Sequence, residues 1–100
     1  MRQHGRVDDN QRSIVDALLK CGAAVISLAS LGNGIPDLLV SIDHRVILVE
    51  IKDGAKPPCA RRLTQAQEAI HQGWPVIILE SIDEAIKLVR DVRDEAVRRS

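Results

Sequence analysis

A chain of 100 residues with one tryptophan, no phenylalanine and no tyrosine has to build its interior from Ile, Leu, Val and Ala. The apolar fraction of 45% suits a globular core and is too high for a disordered chain. The length fits one domain spanning residues 1–100. The same shortage of aromatic faces argues against base-stacking platforms of the RRM or OB type. Lys plus Arg total 14 and Asp plus Glu total 14, so the formal net charge is zero. A protein that holds nucleic acid by bulk positive charge is therefore not expected, although a local basic groove is compatible with this balance.

No apolar run approaches the roughly 20 residues of a membrane span. The start, Met1-Arg2-Gln3-His4-Gly5-Arg6, runs into acids and polars and does not read as a secretory signal. The expected location is the cytoplasm. Cys21 and Cys59 do not make a disulfide framework, and no Cys/His group has zinc spacing. No organic cofactor and no membrane partner are expected.

The pattern along the chain is α-β-β-β-α-β-α. From Asp8 to Cys21, Ile14, Val15, Leu18 and Leu19 form one helical face, with Gly22 placed to end the helix. Ala23 to Ala29 reads as a strand, and Ser30 to Gly34 as a flexible turn. Pro36 to Ile42 and Arg45 to Lys52 read as strands joined by a short turn at Asp43-His44, which makes a hairpin. Asp53 to Arg62 is a loop with Gly54, Pro57 and Pro58. Thr64 opens a helix with Gln67 as its capping-box partner, and the helix ends near Gly73. Trp74-Pro75 leads into a strand from Val76 to Glu80, with Trp74 read as a core anchor ahead of a base-stacking residue. Ile82 to Arg98 is the last helix, with Ile82, Ala85, Ile86, Val89, Val92 and Ala96 on one face. A helix between the third and fourth strands acts as a crossover and makes those strands parallel. The fold class is α/β, a small mixed sheet with helices on both faces.

Charge appears in the third strand where an apolar strand should have none. Side chains alternate, so Glu50 and Lys52 share one face and Ile51 takes the other. A turn centred between residues 43 and 44 puts residue 37 opposite residue 50. The two carboxylates then stand roughly 5 Å apart across the ladder. Like charges so placed destabilise a sheet, and a divalent metal, Lys52, or both must compensate. Two carboxylates, a backbone carbonyl and waters suit Mg²⁺ or Mn²⁺. A lysine beside such a site can position an attacking water and steady developing phosphate charge. The constellation fits phosphodiester hydrolysis.

Gly34-Ile35-Pro36-Asp37, then Glu50-Ile51-Lys52, then Leu63-Thr64-Gln65-Ala66-Gln67 resemble the PD-(D/E)xK nuclease superfamily, and within it the small VRR-NUC domain related to Holliday junction resolvases. The resemblance spans roughly Asp9 to Glu80. It implies a restriction-endonuclease-like core in which Asp37 and Glu50 are metal ligands, the Ile51 carbonyl completes the protein's share, and Lys52 is the catalytic lysine. A glutamine on the following helix lies near the site in this family; Gln67 matches the Leu-Thr-x-x-Gln form, with Gln65 as its neighbour. Many relatives carry a Glu on the first helix in the metal's water shell; Gln11 stands there, a departure that leaves a neutral group. The implied activity is Mg²⁺- or Mn²⁺-dependent endonucleolytic cleavage of DNA, structure-selective for branched DNA such as a Holliday junction, by a homodimer in a bacterial or phage-infected cell.

Plainer readings stand beside these. Asp37 alone suits a turn, and Glu50 with Lys52 suits a solvent-facing ion pair of little worth. Gln67 is equally a cap, and Gln11 a partner of the helix start. Lys56, Arg61 and Arg62, with Lys52, form the densest basic stretch, either a phosphate-contacting loop or a solvated one. His44 sits at a hairpin tip as a phosphate contact or a merely exposed residue. The long stripe of the last helix covers the sheet or forms a dimer seam. The same fold also suits a module that holds branched DNA or a partner without cutting.

Overall fold

The computed structural model describes residues 9–54 and 62–99. Helix α1 spans Asp9–Lys20 and buries Ile14, Ala17 and Leu18 on one stripe. Its end is a Schellman motif: Ala23 N donates to Leu18 O at 3.0 Å and Gly22 N to Leu19 O at 3.0 Å, with Gly22 at φ +93°. Strand β1 covers Ala24–Ser27, shorter than the pattern suggests. The register runs one rung further, with Leu28 N donating to the Asp37 carbonyl (2.8 Å), and the strand stops where Ala29–Leu31 wind into a single 3₁₀ turn. Strands β2 (Leu38–Ile42) and β3 (Arg45–Ile51) form the expected hairpin. Asp43 and His44 both have positive φ, the mirror-image two-residue turn that matches strand twist. Helix α2 spans Gln65–Gly73, β4 Val76–Leu79 and α3 Ile82–Arg99.

The sheet order is β1-β2-β3-β4, antiparallel except for the parallel β3–β4 pair. Leu38 faces Val49 and Ile42 faces Arg45, which is the register expected from the turn. The fold is thus α/β, a four-stranded mixed sheet flanked by helices. One sheet face, carrying Leu38, Val40, Ile42, Val49, Ile51 and Leu79, is packed with Ile14 and Leu18 of α1 and with Ala85, Val89 and Val92 of α3. This is the aliphatic core that the composition demands, and five of its large side chains are Ile or Leu with no accessible surface or almost none.

The other face is covered unequally. Its registered rows hold Ala24, Ile26, Leu39, Ser41, Val46, Leu48, Val76 and Ile78, none of them charged, and Glu50 at one end. Helix α2 lies over that end only, while Ile26, Val46 and Ile78 are exposed. Trp74 corrects the sequence expectation: it is 59% exposed and not a core anchor. Ile82 is likewise exposed, so the apolar stripe of α3 begins in practice at Ala85. No helix among the described residues is long and apolar enough to cross a membrane.

Candidate active site

The carboxyl end of β3, the amino end of β2 and the first turn of α2 meet at one corner of the sheet. Asp37 stands one residue before β2, where the ladder stops. Its Oδ2 accepts from the Ile51 amide at 2.7 Å, in place of a backbone acceptor. That bond joins the two strand ends and fixes the Asp37 carboxylate beside Glu50. Glu50 is 3% exposed. Its Oε2 accepts from Gln67 Nε2 at 2.9 Å and lies 3.7 Å from Lys52 Nζ. Lys52 Nζ in turn donates to Gln67 Oε1 at 3.1 Å. Asp37, Glu50, Lys52 and Gln67 therefore form one connected cluster, and alternation on β3 is what lets Glu50 and Lys52 reach the same side.

Gln67 does both jobs that its sequence position offers. Its amide nitrogen, Nε2, donates to Glu50, while Oε1 accepts from Thr64 N at 2.9 Å as well as from Lys52. Thr64 Oγ1 accepts from Gln67 N at 3.1 Å, completing the capping box. A carbonyl oxygen has two lone pairs, so cap and site do not compete. The helix start is locked by the same side chain that ties acid to amine.

Two contacts set this corner and carry no obvious sequence signal. Gly34, at φ +80°, lies against α2: a Cβ there would stand 2.6 Å from the Ala66 carbonyl carbon. Only glycine lets the segment leading to Asp37 approach the first turn of α2 so closely. Asn10, in the first turn of α1, donates from Nδ2 to the Lys52 carbonyl at 2.8 Å and reaches the Glu80 carbonyl at 3.5 Å. It braces the ends of β3 and β4. An Asn near a helix start ordinarily reads as a local cap, which hides this long-range role.

The electrostatics are those of a crowded carboxyl pair. Glu50 is pushed up from 4.5 to about 7, first by burial and then by the Asp37 carboxylate, with Lys52 pulling it down only in part. Glu50 Oε1 is buried and accepts no hydrogen bond. An orphaned carboxylate oxygen in a shielded place is costly unless a proton or a cation meets it. Asp37 and Glu50 bring carboxylate oxygens together, and with the Ile51 carbonyl that the resemblance implies the donor set would be all oxygen, which fits Mg²⁺ or Mn²⁺. Among the described residues, no group of three or more His, Cys, Asp or Glu side chains converges, so the carboxylates gathered at this corner are those of Asp37 and Glu50.

The remaining expected residues lie elsewhere. Gln11 is buried in the first turn of α1 and lines a shallow groove with Val15 and Ser27; it shares no hydrogen bond with Asp37, Glu50 or Lys52 among the described residues. Gln65 opens α2 exposed, outside the cluster. Arg62 is exposed, two residues before the Thr64 cap. His44, at the far end of the hairpin, is separated from Glu50 by about 20 Å of strand and is not brought to the site. Lys56 and Arg61 lie outside the described residues, as does Cys59. No protein-family model, curated protein or solved structure matches this chain.

Proposed function

We propose that the protein is a metal-dependent endodeoxyribonuclease that hydrolyses phosphodiester bonds, selective for branched DNA and working as a homodimer. The observation that carries the reading is the orphaned Glu50 Oε1, buried beside the Asp37 carboxylate and next to an ammonium that Gln67 holds in place. Asp37, Glu50 and the Ile51 carbonyl would hold Mg²⁺ or Mn²⁺, which supplies Lewis-acid polarisation of the scissile phosphate and a lowered pKa for water. Lys52 offers a cation, 13% exposed at its side chain, where negative charge develops on the phosphate oxygens. Gln67 keeps that ammonium from collapsing fully onto Glu50, and Asn10 holds the Lys52 backbone. The uncharged open rows of the second sheet face, with Ile26, Val46 and Ile78 exposed, support association of two copies.

A second reading is a module of the same fold that binds branched DNA, or a partner, without cutting. The gathering of just two acidic side chains at the corner among the described residues, and the neutral Gln11 on α1, favour it.

The deciding experiment incubates the protein with linear, flapped and four-way DNA in Mg²⁺, in Mn²⁺ and in EDTA. Cutting that needs the metal, prefers a branch and disappears in Asp37→Asn, Glu50→Gln and Lys52→Met supports the nuclease. A parent that binds a junction but never cuts it leaves the binding module. Variants that all cut like the parent remove the enzyme reading.

A further inference from the structure

The one aromatic side chain of the protein is out of the core and beside the candidate site. Trp74 is 59% exposed and lines a crevice of about 380 Å³ with Ile35, Pro36, Leu48 and Ile70. That volume falls at the low end of clefts that take small ligands, roughly 300–1,000 Å³. Each wall is a near neighbour of a site residue. Pro36 precedes Asp37, Leu48 shares a sheet face with Glu50 about 7 Å along the same strand, and Ile70 stands one turn beyond Gln67 on α2.

We infer that this crevice takes one unpaired nucleobase of the DNA strand whose phosphate lies at Asp37 and Glu50, stacked on the Trp74 indole. The inference rests on the nuclease reading and deepens it by naming what part of the substrate the protein holds. All five lining residues are apolar, so the crevice does not suit a phosphate. An indole face over an aliphatic floor suits a flat, weakly polar ring. The polar end of the substrate has its place next door, at the acids and Lys52. A base paired and stacked within a duplex cannot enter without being unstacked, whereas a nucleotide at a flap or a branch is already free to do so. Selectivity for branched over linear DNA then follows from a pocket rather than from base-edge contacts.

The chain has no other Trp and no Tyr, so its intrinsic emission reports this position alone. The test titrates the intact protein in EDTA with oligothymidylate and with an abasic strand of the same length, following tryptophan emission alongside the anisotropy of a dye on the DNA. Stacking predicts that oligothymidylate changes the emission and the abasic strand, although bound, does not. Trp74→Ala should bind oligothymidylate roughly tenfold more weakly, within the range for loss of one base–aromatic stack. Trp74→Phe should keep most of the affinity, and the abasic strand should bind parent and variants alike. Because Trp74 is exposed, neither variant removes a core side chain, and circular dichroism checks their folding.

Equal emission changes with both strands, or binding without any change, overturn the inference and leave the nuclease reading intact. Emission that shifts with protein concentration alone, in step with dimer formation by sedimentation, means that a second copy fills the crevice and also overturns it. If no DNA is bound and none is cut, both readings fall.

Discussion

Glu50→Gln is expected to stabilise the folded protein at alkaline pH while ending the proposed cleavage. The carboxyl of Glu50 is raised from 4.5 to about 7, so the folded chain holds this proton more tightly than the unfolded chain does. Its contribution to stability is fully present below about 4.5 and is lost as the pH rises through about 7. One pKa unit corresponds to about 1.4 kcal/mol, so the ionised carboxylate costs about 3 kcal/mol well above neutrality. Glutamine keeps the shape and can still meet Gln67, and the attraction to Lys52 at 3.7 Å is already contained in the net rise to about 7, so the expected gain stays at about 3 kcal/mol. For a domain of this size that is roughly 12–24 °C in Tm. Urea and thermal unfolding of parent and variant, followed by circular dichroism from about pH 4.5 to about pH 8.5, measure the difference directly. The variant should match the parent at the acid end and pull ahead as pH rises. Mg²⁺ should narrow the gap at high pH by binding the folded parent and not the variant. A difference that does not change with pH, or a variant less stable at the alkaline end, refutes the crowded-carboxylate account.

Three further outcomes follow from the same corner. Asp37→Asn should abolish cleavage with little loss of stability, because its Oδ1 still accepts the Ile51 amide, whereas Asp37→Ala orphans that amide and should cost about 1–3 kcal/mol in urea unfolding. Gln67→Leu should lose about 1 kcal/mol through the broken capping box and should also slow cleavage by freeing Lys52; unchanged cleavage beside a lowered Tm would leave Gln67 as a cap only. Gly34→Ala should lower both stability and activity by driving α2 outward. Gly32→Ala, at φ +63° and ψ −154° but with nothing within 4 Å of the new Cβ, should cost about 1–3 kcal/mol of backbone strain and keep activity; an equal loss of activity in the two variants would remove the close-approach argument.

Much of the fold was legible because it is local. The Asp43-His44 turn sets the hairpin register, and period-2 alternation then fixes which β3 side chains share a side. Thr64 and Gln67 announce the start of α2, and Gly22 the end of α1, through bonds that span only a few residues. The strand ends were less legible. β1 ends early because Ala29–Leu31 wind into a 3₁₀ turn directly after the last rung, from Leu28 N to the Asp37 carbonyl, and the apolar run Ala23–Ala29 carries no sign of where its pairing with β2 runs out.

The order of elements, the pairing of acid and amine on β3 and the aliphatic make-up of the interior are thus consequences of the chain's own periodicity and composition. The placement of α2 over one corner of the sheet is not. It depends on Gly34 admitting the Ala66 backbone and on Gln67 finding Glu50 and Lys52 across the intervening loop. The same placement leaves Trp74 at the surface rather than in the core. Contacts between segments far apart in sequence depend on which surfaces remain uncovered once the local elements have formed, and that is settled only when the whole chain packs.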